Sequence, residues 1–247
     1  MLAYDRHQEI VHLLEIHHSM SVKRLAQQLH VSEPTMRRDL KNMEAGGLIR
    51  RTHGGAISLN QNDYTPLAMR MEMEGESKKE VARRAAAMIS DGATVFIDAS
   101  STARCIASYL RAGQNFTAVT NSLFLCRQLM QLHISTYCLG GRINELDEAI
   151  RGPYAEHSLR QFHFDLCFFS CTGLSEEGIL SGRLEEGVSF LQAVLRQSEK
   201  TVFLCTSSRL NKTCPYVVCS LADIDTVICD APLPPALNTM VGSQRRR

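Results

Sequence analysis

The chain has 247 residues, 44% of them apolar, and a formal charge of +1. That length and apolar content favour two domains with packed cores, and the near-neutral balance excludes a polycation, so any nucleic-acid surface has to be local. Residues 1–60 carry eight Lys/Arg against six Asp/Glu, an excess that matters only if the cations share one face.

Nine cysteines, an odd number without a CxxC pair and partly inside apolar runs such as Asp165-Leu-Cys-Phe-Phe169, read as free structural thiols of a reducing compartment. Cys167 and Cys171 have no second Cys/His pair at ligand spacing, so no metal is expected. No basic-then-apolar leader opens the chain, and no run of about 18 apolar residues occurs. The expectation is a cytoplasmic protein outside the membrane, with no cofactor.

In chain order, Ile10, Leu13, Leu14 and His17 form a stripe that predicts a helix over 6–17 with Asp5 as its cap. Ser21 then caps a short helix whose inward face is Val22, Leu25, Ala26 and Leu29. His30 and Val31 make the turn. Ser32 is the cap of a third helix, with Pro34 tolerated in its first turn because amides there lack intrahelical acceptors. Met36, Leu40 and Met43 lie on one stripe; Pro34, Arg38, Lys41 and Ala45 lie opposite, with Thr35 and Arg37 on the flanks. Gly46 and Gly47 are expected to stop this helix in the left-handed region. Leu48 to Ser58 then alternates around His53-Gly54-Gly55, which predicts a hairpin.

Two helices, a turn, a capped third helix and a hairpin make a winged helix-turn-helix. Its third helix enters the DNA major groove, and Arg50, Arg51 and His53 of the wing can reach phosphate or the minor groove. The run Val22-Lys-Arg-Leu through Arg51-Thr-His-Gly-Gly-Ala56, with the Ser-x-x-Thr-x-Arg-Arg-Asp-Leu core inside it, resembles the DeoR family of bacterial transcriptional repressors of sugar metabolism. That resemblance implies binding to double-stranded operator DNA, with Ser32, Thr35, Arg37 and Arg38 at the positions of the family's recognition motif.

Residues 59–75 mix Pro, Met and polar residues without sustained periodicity and are expected to be a linker between a DNA-binding domain over 1–58 and a second domain over 76–232. Met69, Met71 and Met73, spaced by two, suggest a packed extended segment. From residue 76 onward a helix leads into alternating strands and helices: Thr94-Val-Phe-Ile-Asp98, a loop through Thr102, Phe116-Thr-Ala-Val-Thr120, a loop at Asn121-Ser122, and Ile134 to Gly141. Such alternation predicts a mostly parallel α/β domain with a ligand crevice outside the carboxyl ends of its strands. Ser100, Ser101, Thr102, Asn121 and Ser122 sit at helix starts, where hydroxyls and free amides favour phosphate, although such residues also cap helices with no ligand present. Asp98 can accept from sugar hydroxyls.

The resemblance extends through this domain, which is similar to the ribose-5-phosphate isomerase-like sugar-phosphate fold. It implies a sugar-phosphate effector held by Asp98, Ser100, Ser101, Thr102, Thr120, Asn121, Ser122, Gly140, Gly141, Arg142, Glu186, Arg209 and Lys212, and a homodimer or homotetramer. The chain departs from the family's usual Asp-Ser-Ser-Lys-Phe-Gly-Arg run. It has Thr206 for Asp, Arg209 for Lys, Asn211 for Gly and Lys212 for Arg, which leaves positive charge without a titratable amine. The expected function is therefore a regulator without catalytic residues; an isomerase-like enzyme with an accessory DNA-binding domain is the alternative. Residues 233–247, with their proline cluster and terminal Arg triplet, are expected to form a C-terminal tail, either flexible or a lone terminal helix.

Overall fold

A computed structural model describes residues 3–17, 19–46, 48–52, 54–58, 67–144 and 147–244. The chain divides into two compact units, residues 1–69 and 70–247.

The first unit holds α1 (Ala3–His17), β1 (Ser19–Ser21), α2 (Val22–Gln28), α3 (Glu33–Ala45), β2 (Ile49–Thr52) and β3 (Gly55–Ser58). Its core is the apolar set read from the sequence: Ile10, Leu13, Leu14, Val22, Leu25, Met36, Leu40 and Met43 are all buried. Three details differ from expectation. Asp5 lies inside the first turn of α1, since the helix begins at Ala3, and His17 is exposed because the inward stripe ends at Leu14. Gly46 closes α3 at φ −83°, an ordinary conformation, and Gly47 lies outside the described residues. β1, too short to have a sequence pattern, makes the wing a three-stranded sheet in the order β1-β3-β2. Gly55 is required there, because a Cβ would stand 2.1 Å from the carbonyl oxygen of Met20 on β1.

In the second unit α4 (Leu67–Glu72, straddling the division) and α5 (Gly75–Ala86) precede β4 (Thr94–Ile97), α6 (Ser101–Arg104), β5 (Thr117–Thr120), α7 (Leu123–Gln131), β6 (Ser135–Cys138), β7 (Arg142–Ile143) and β8 (Ile150–Arg151). Then follow α8 (Pro153–Leu159), β9 (Phe164–Phe169), β10 (Gly173–Leu174), β11 (Ile179–Gly182), α9 (Glu185–Arg196), β12 (Ser198–Cys205), β13 (Tyr216–Ser220), β14 (Thr226–Cys229) and α10 (Pro235–Met240). Six strands form one parallel sheet in the order β14-β12-β9-β4-β5-β6. The central strands are nearly continuous apolar runs because both faces are covered. On β4, for example, Val95 and Ile97 join one buried cluster and Phe96 the other. β10, β11 and β13 form a small separate sheet, and β7 pairs with β8.

Two segments outside the main alternation are helical. Leu67–Glu72 is helical rather than extended; its residues are good helix formers, and three methionines spaced by two are too few to impose a strand. At the C-terminus the terminal-helix alternative holds: α10 buries Leu237 to 2% exposure and Met240 packs against the core of the second unit. The prolines there start the helix instead of preventing it. All nine cysteines are free, and Cys138 is exposed rather than buried.

Candidate functional site

The first candidate surface is built on α3. Ser32 caps it, its Oγ accepting the Thr35 amide at 3.3 Å while the two hydroxyls pair at 2.8 Å. Pro34, Arg37, Arg38 and Lys41 are exposed and Thr35 is half-buried. Arg37 reaches Glu33 at 3.4 Å, one turn back, whereas Arg38 and Lys41 have no ion-pair partner among the described residues. On the wing Arg50 is exposed, and Arg51 is tied to Glu44 of α3 by a backbone bond of 2.9 Å and an ion pair of 3.6 Å. His53 lies outside the described residues.

What orients this face is a pair that the apolar pattern did not single out. Asp39 projects inward beside Leu40, 3% exposed, and takes a two-pronged bond from Arg6 of α1 at 2.6 and 3.2 Å. Burial pushes the Asp39 carboxyl up, but the hydrogen bonds and charges of Arg6 and His7 outweigh it and hold the group below its ordinary range. An acid on an inward stripe is the signal that such a partner must exist.

The second candidate lies at the carboxyl ends of the parallel strands. β5 and β6 extend the sheet to one side of β4, and β9, β12 and β14 to the other, so the order reverses at β4, which is where open α/β sheets hold their ligands. Asp98, 8% exposed, accepts the Ser100 amide at 3.1 Å. Burial pushes its carboxyl up against the opposing charge of Arg151. Ser100 caps α6, and the side chains of Ser101 and Thr102 are buried.

The next loop is committed to the fold. Thr120 Oγ1 donates to the Ile97 carbonyl at 2.6 Å and accepts the Ser122 amide at 3.1 Å; Asn121 accepts the Ala99 amide at 3.1 Å and donates to the Ile150 carbonyl at 3.3 Å. Ser122 accepts the Leu125 amide as cap of α7. Asn121 thereby ties the Asp98 loop to β8, while Thr120 and Ser122, equally buried, secure the end of β4 and the start of α7.

On the rim, Gly140 and Gly141 are exposed. Gly141 (φ +147°) passes so close to Arg151 that a Cβ would stand 2.6 Å from its carbonyl oxygen. Arg142, exposed, pairs with Glu186 at 3.1 Å. Arg209 and Lys212 fall on the other side of the switch point: Arg209 follows β12, and the backbone of Lys212 packs on Gly173, beyond β9.

Three charged groups of this region were not anticipated. Arg104, 1% exposed, donates to the carbonyls of Ala99 (2.9 Å) and Asp147 (2.7 Å), pairs with Glu148 at 3.2 Å and stacks over Phe124. Arg151 grips Asp147 at 3.0 and 2.5 Å and lies against Gly187 at the start of α9. The hint for Arg104 is a lone arginine within the otherwise small and apolar run Ala103-Arg-Cys-Ile-Ala107; for Arg151 and Asp147 the spacing carries none. Among the described residues no group of three or more His, Cys, Asp or Glu could hold a metal ion, and no helix is long and apolar enough to cross a membrane.

Two family models match the chain: a DeoR-like helix-turn-helix domain over residues 6–62 and a DeoR C terminal sensor domain over residues 73–231. The chain is 33% identical over 216 residues to the L-fucose operon activator of Haemophilus influenzae, covering 87% of this chain and 86% of that one. It is 29% identical over 246 residues to the transcriptional repressor AccR of Agrobacterium fabrum (98% and 95%), and 31% identical over 233 residues to the transcriptional repressor GlcR of Bacillus subtilis (93% and 89%). Among solved structures, ribose 5-phosphate isomerase A of Methanocaldococcus jannaschii matches with a TM-score of 0.41 at 17% identity, over 55% of this chain and 54% of that one. The sorbitol operon regulator SorC of Klebsiella pneumoniae matches with a TM-score of 0.37 at 10% identity, over 85% and 91%. With a family model over most of each unit and regulators as relatives over most of their length, the chain belongs to the DeoR family of transcriptional regulators.

Proposed function

We propose that this regulator represses a carbohydrate operon by binding its operator through α3 and the wing, and that a phosphorylated sugar at the carboxyl ends of the parallel strands sets its affinity for DNA. The observation that carries this is the exposed face of Pro34, Arg38 and Lys41, whose two cations lack any ion-pair partner among the described residues, on a chain whose other unit is a sensor sheet with a topological switch point. Arg38 and Lys41 reach base edges, while Thr35, Arg37, Arg50 and Arg51 meet phosphate. His53 is assigned to the wing tip by its place in the sequence alone.

In the sensor, Asp98 accepts from sugar hydroxyls, with the first-turn amides of α6 and Arg142 beside it. Glu186, tied to Arg142, is positioned to exchange that partner for a ligand. Thr120, Asn121 and Ser122 contribute by holding the Asp98 loop. A sugar effector accords with relatives such as the lactose phosphotransferase system repressor of Staphylococcus epidermidis, 30% identical over 235 residues. Because one winged helix makes few base contacts, the working form is a homodimer or homotetramer reading half-sites about 10–10.5 bp apart or a multiple of that. It acts in the cytoplasm, where its DNA is. Catalysis has no part, and Arg209 cannot serve as a base because a guanidinium keeps its proton near neutrality.

The test is fluorescence anisotropy of an operator selected from random duplexes, titrated with the full chain in the presence of a panel of sugar phosphates. At least one should change the operator Kd about 5- to 150-fold, the usual range of allosteric coupling. A panel that leaves Kd unchanged while the chain still binds DNA specifically refutes the effector half of the proposal.

A further inference from the structure

The polypeptide joins the sensor through an elbow between α4 and α5, where Glu74 takes a left-handed φ of 55°. That conformation is unfavourable for a residue with a Cβ, so surrounding contacts must hold it. Lys78, 1% exposed, directs its Nζ at the carbonyl oxygens of Arg70 and of Met73, the latter at 2.6 Å, which are groups that α4 leaves unpaired at its carboxyl end. On the other side Glu74 Oε2 accepts from Thr206 Oγ1 at 2.9 Å, and the Ser208 hydroxyl stands 3.1 Å from that of Thr206. Arg209 acts on Glu74 through its charge, and its Nε is buried with no hydrogen-bond partner among the described residues. The neighbouring acid, Asp230, is committed to the Ser207 amide and hydroxyl at 2.6 and 3.2 Å.

Two converging hydroxyls, with a guanidinium near enough to act by charge though not in ion-pair contact and with a donor to spare, are the parts of an anion site, and here a carboxylate of the same chain occupies the hydroxyl side of it. Burial pushes the Glu74 carboxyl up, but the hydrogen bonds of Ser208 and Thr206 and the charges of Arg209 and Lys78 prevail and keep it below its usual range. We propose that Glu74 is an internal stand-in for an anionic ligand: a phosphate monoester displaces its carboxylate from Thr206 and Ser208, takes the spare donor of Arg209, and so releases the α4–α5 elbow through which the chain enters the sensor.

The inference rests on the phosphorylated-effector reading above and adds the residues through which binding is felt by the elbow. A ligand that binds only the displaced state shows an affinity reduced by the rarity of that state. Removing the competitor therefore tightens binding.

The full-length wild type, Glu74→Gln and Arg209→Met are compared by thermal shift in inorganic phosphate against chloride of equal ionic strength. Half-saturation by phosphate should fall at least about tenfold in E74Q, since a neutral amide makes weaker bonds to the same donors, and stabilisation by phosphate should vanish in R209M. Without phosphate, E74Q should bind the selected operator as the wild type does at saturating phosphate. Equal phosphate affinity in wild type and E74Q, or stabilisation retained in R209M, overturns the proposal. If E74Q loses its cooperative unfolding transition, Glu74→Asp, which withdraws the carboxylate by one methylene, must bind phosphate more tightly, and unchanged binding overturns it equally. E74Q gaining phosphate affinity while no sugar phosphate alters operator binding keeps this site and refutes the effector reading; sugar phosphates that work while E74Q is unchanged refute this site alone.

Discussion

Replacing Asp39 by Ala isolates what the Arg6–Asp39 pair does for the DNA-binding unit. The two side chains are 7% and 3% exposed and joined by bonds of 2.6 and 3.2 Å, so the truncation leaves a guanidinium in the core without its carboxylate. Breaking a buried pair from one side costs about 3–5 kcal/mol. The unit comprises 69 residues, for which total stability is roughly 3–10 kcal/mol, so D39A should bring it close to its unfolding midpoint at 25 °C and abolish operator binding while the sensor stays folded. The chain has no tryptophan, so the assay is far-UV circular dichroism of the full chain with hydrogen exchange to locate the loss. The double replacement Arg6→Met with Asp39→Leu removes both charges and should regain at least about 2 kcal/mol over D39A. Acid dependence has a definite sign. The folded pKa of Asp39 is lowered, so its contribution is fully present above the unfolded value of about 3.9 and disappears as pH falls through the lower folded value; in D39A that part of the acid response is missing. A loss below about 1 kcal/mol in D39A, or no recovery in the double variant, refutes the reasoning.

Arg38→Ala should weaken specific operator binding by about 1–3 kcal/mol and relax preference at one base pair, whereas Arg37→Ala should weaken all duplexes alike and make the slope of log K against log salt about 0.9 shallower; identical profiles for the two would mean that the outward face is misassigned. Asp98→Asn keeps an acceptor for the Ser100 amide but loses the charge, so it should leave unliganded operator affinity unchanged and blunt the response to the active sugar phosphate. A full response removes Asp98 from the site. Gly141→Ala forces a Cβ to 2.6 Å from the Arg151 carbonyl at φ +147° and should cost about 1–3 kcal/mol of sensor stability, while Gly140→Ala, with open space around it, is the near-neutral control; equal melting temperatures would contradict the packing.

Much of this architecture is legible along the chain because it depends on near neighbours. A serine at position 32, a proline in the first turn and methionines and leucine at helical spacing are enough to place α3 and to say which side faces outward. Apolar runs alternating with helical segments through short loops are enough for a parallel sheet. The elements that escaped are those whose reason lies far away in sequence. β1 exists because Gly55 lets the wing approach it, and Leu67–Glu72 is helical where spacing suggested an extended strip. Thr120, Asn121 and Ser122 have the chemistry of ligand contacts, yet tertiary structure turns them inward, because the backbone groups of Ile97, Ala99, Ile150 and Leu125 meet there and need partners. Arg6 with Asp39, Arg104 with the carbonyl of Asp147, and Glu74 with Thr206 are separated by tens of residues or more and come together only in the folded chain. The sequence by itself determined that this protein is a winged helix joined to an α/β sensor domain. Only the tertiary structure decided which charged side chains are held in place and which remain available, because a buried charge is tolerated only where the fold supplies its partner.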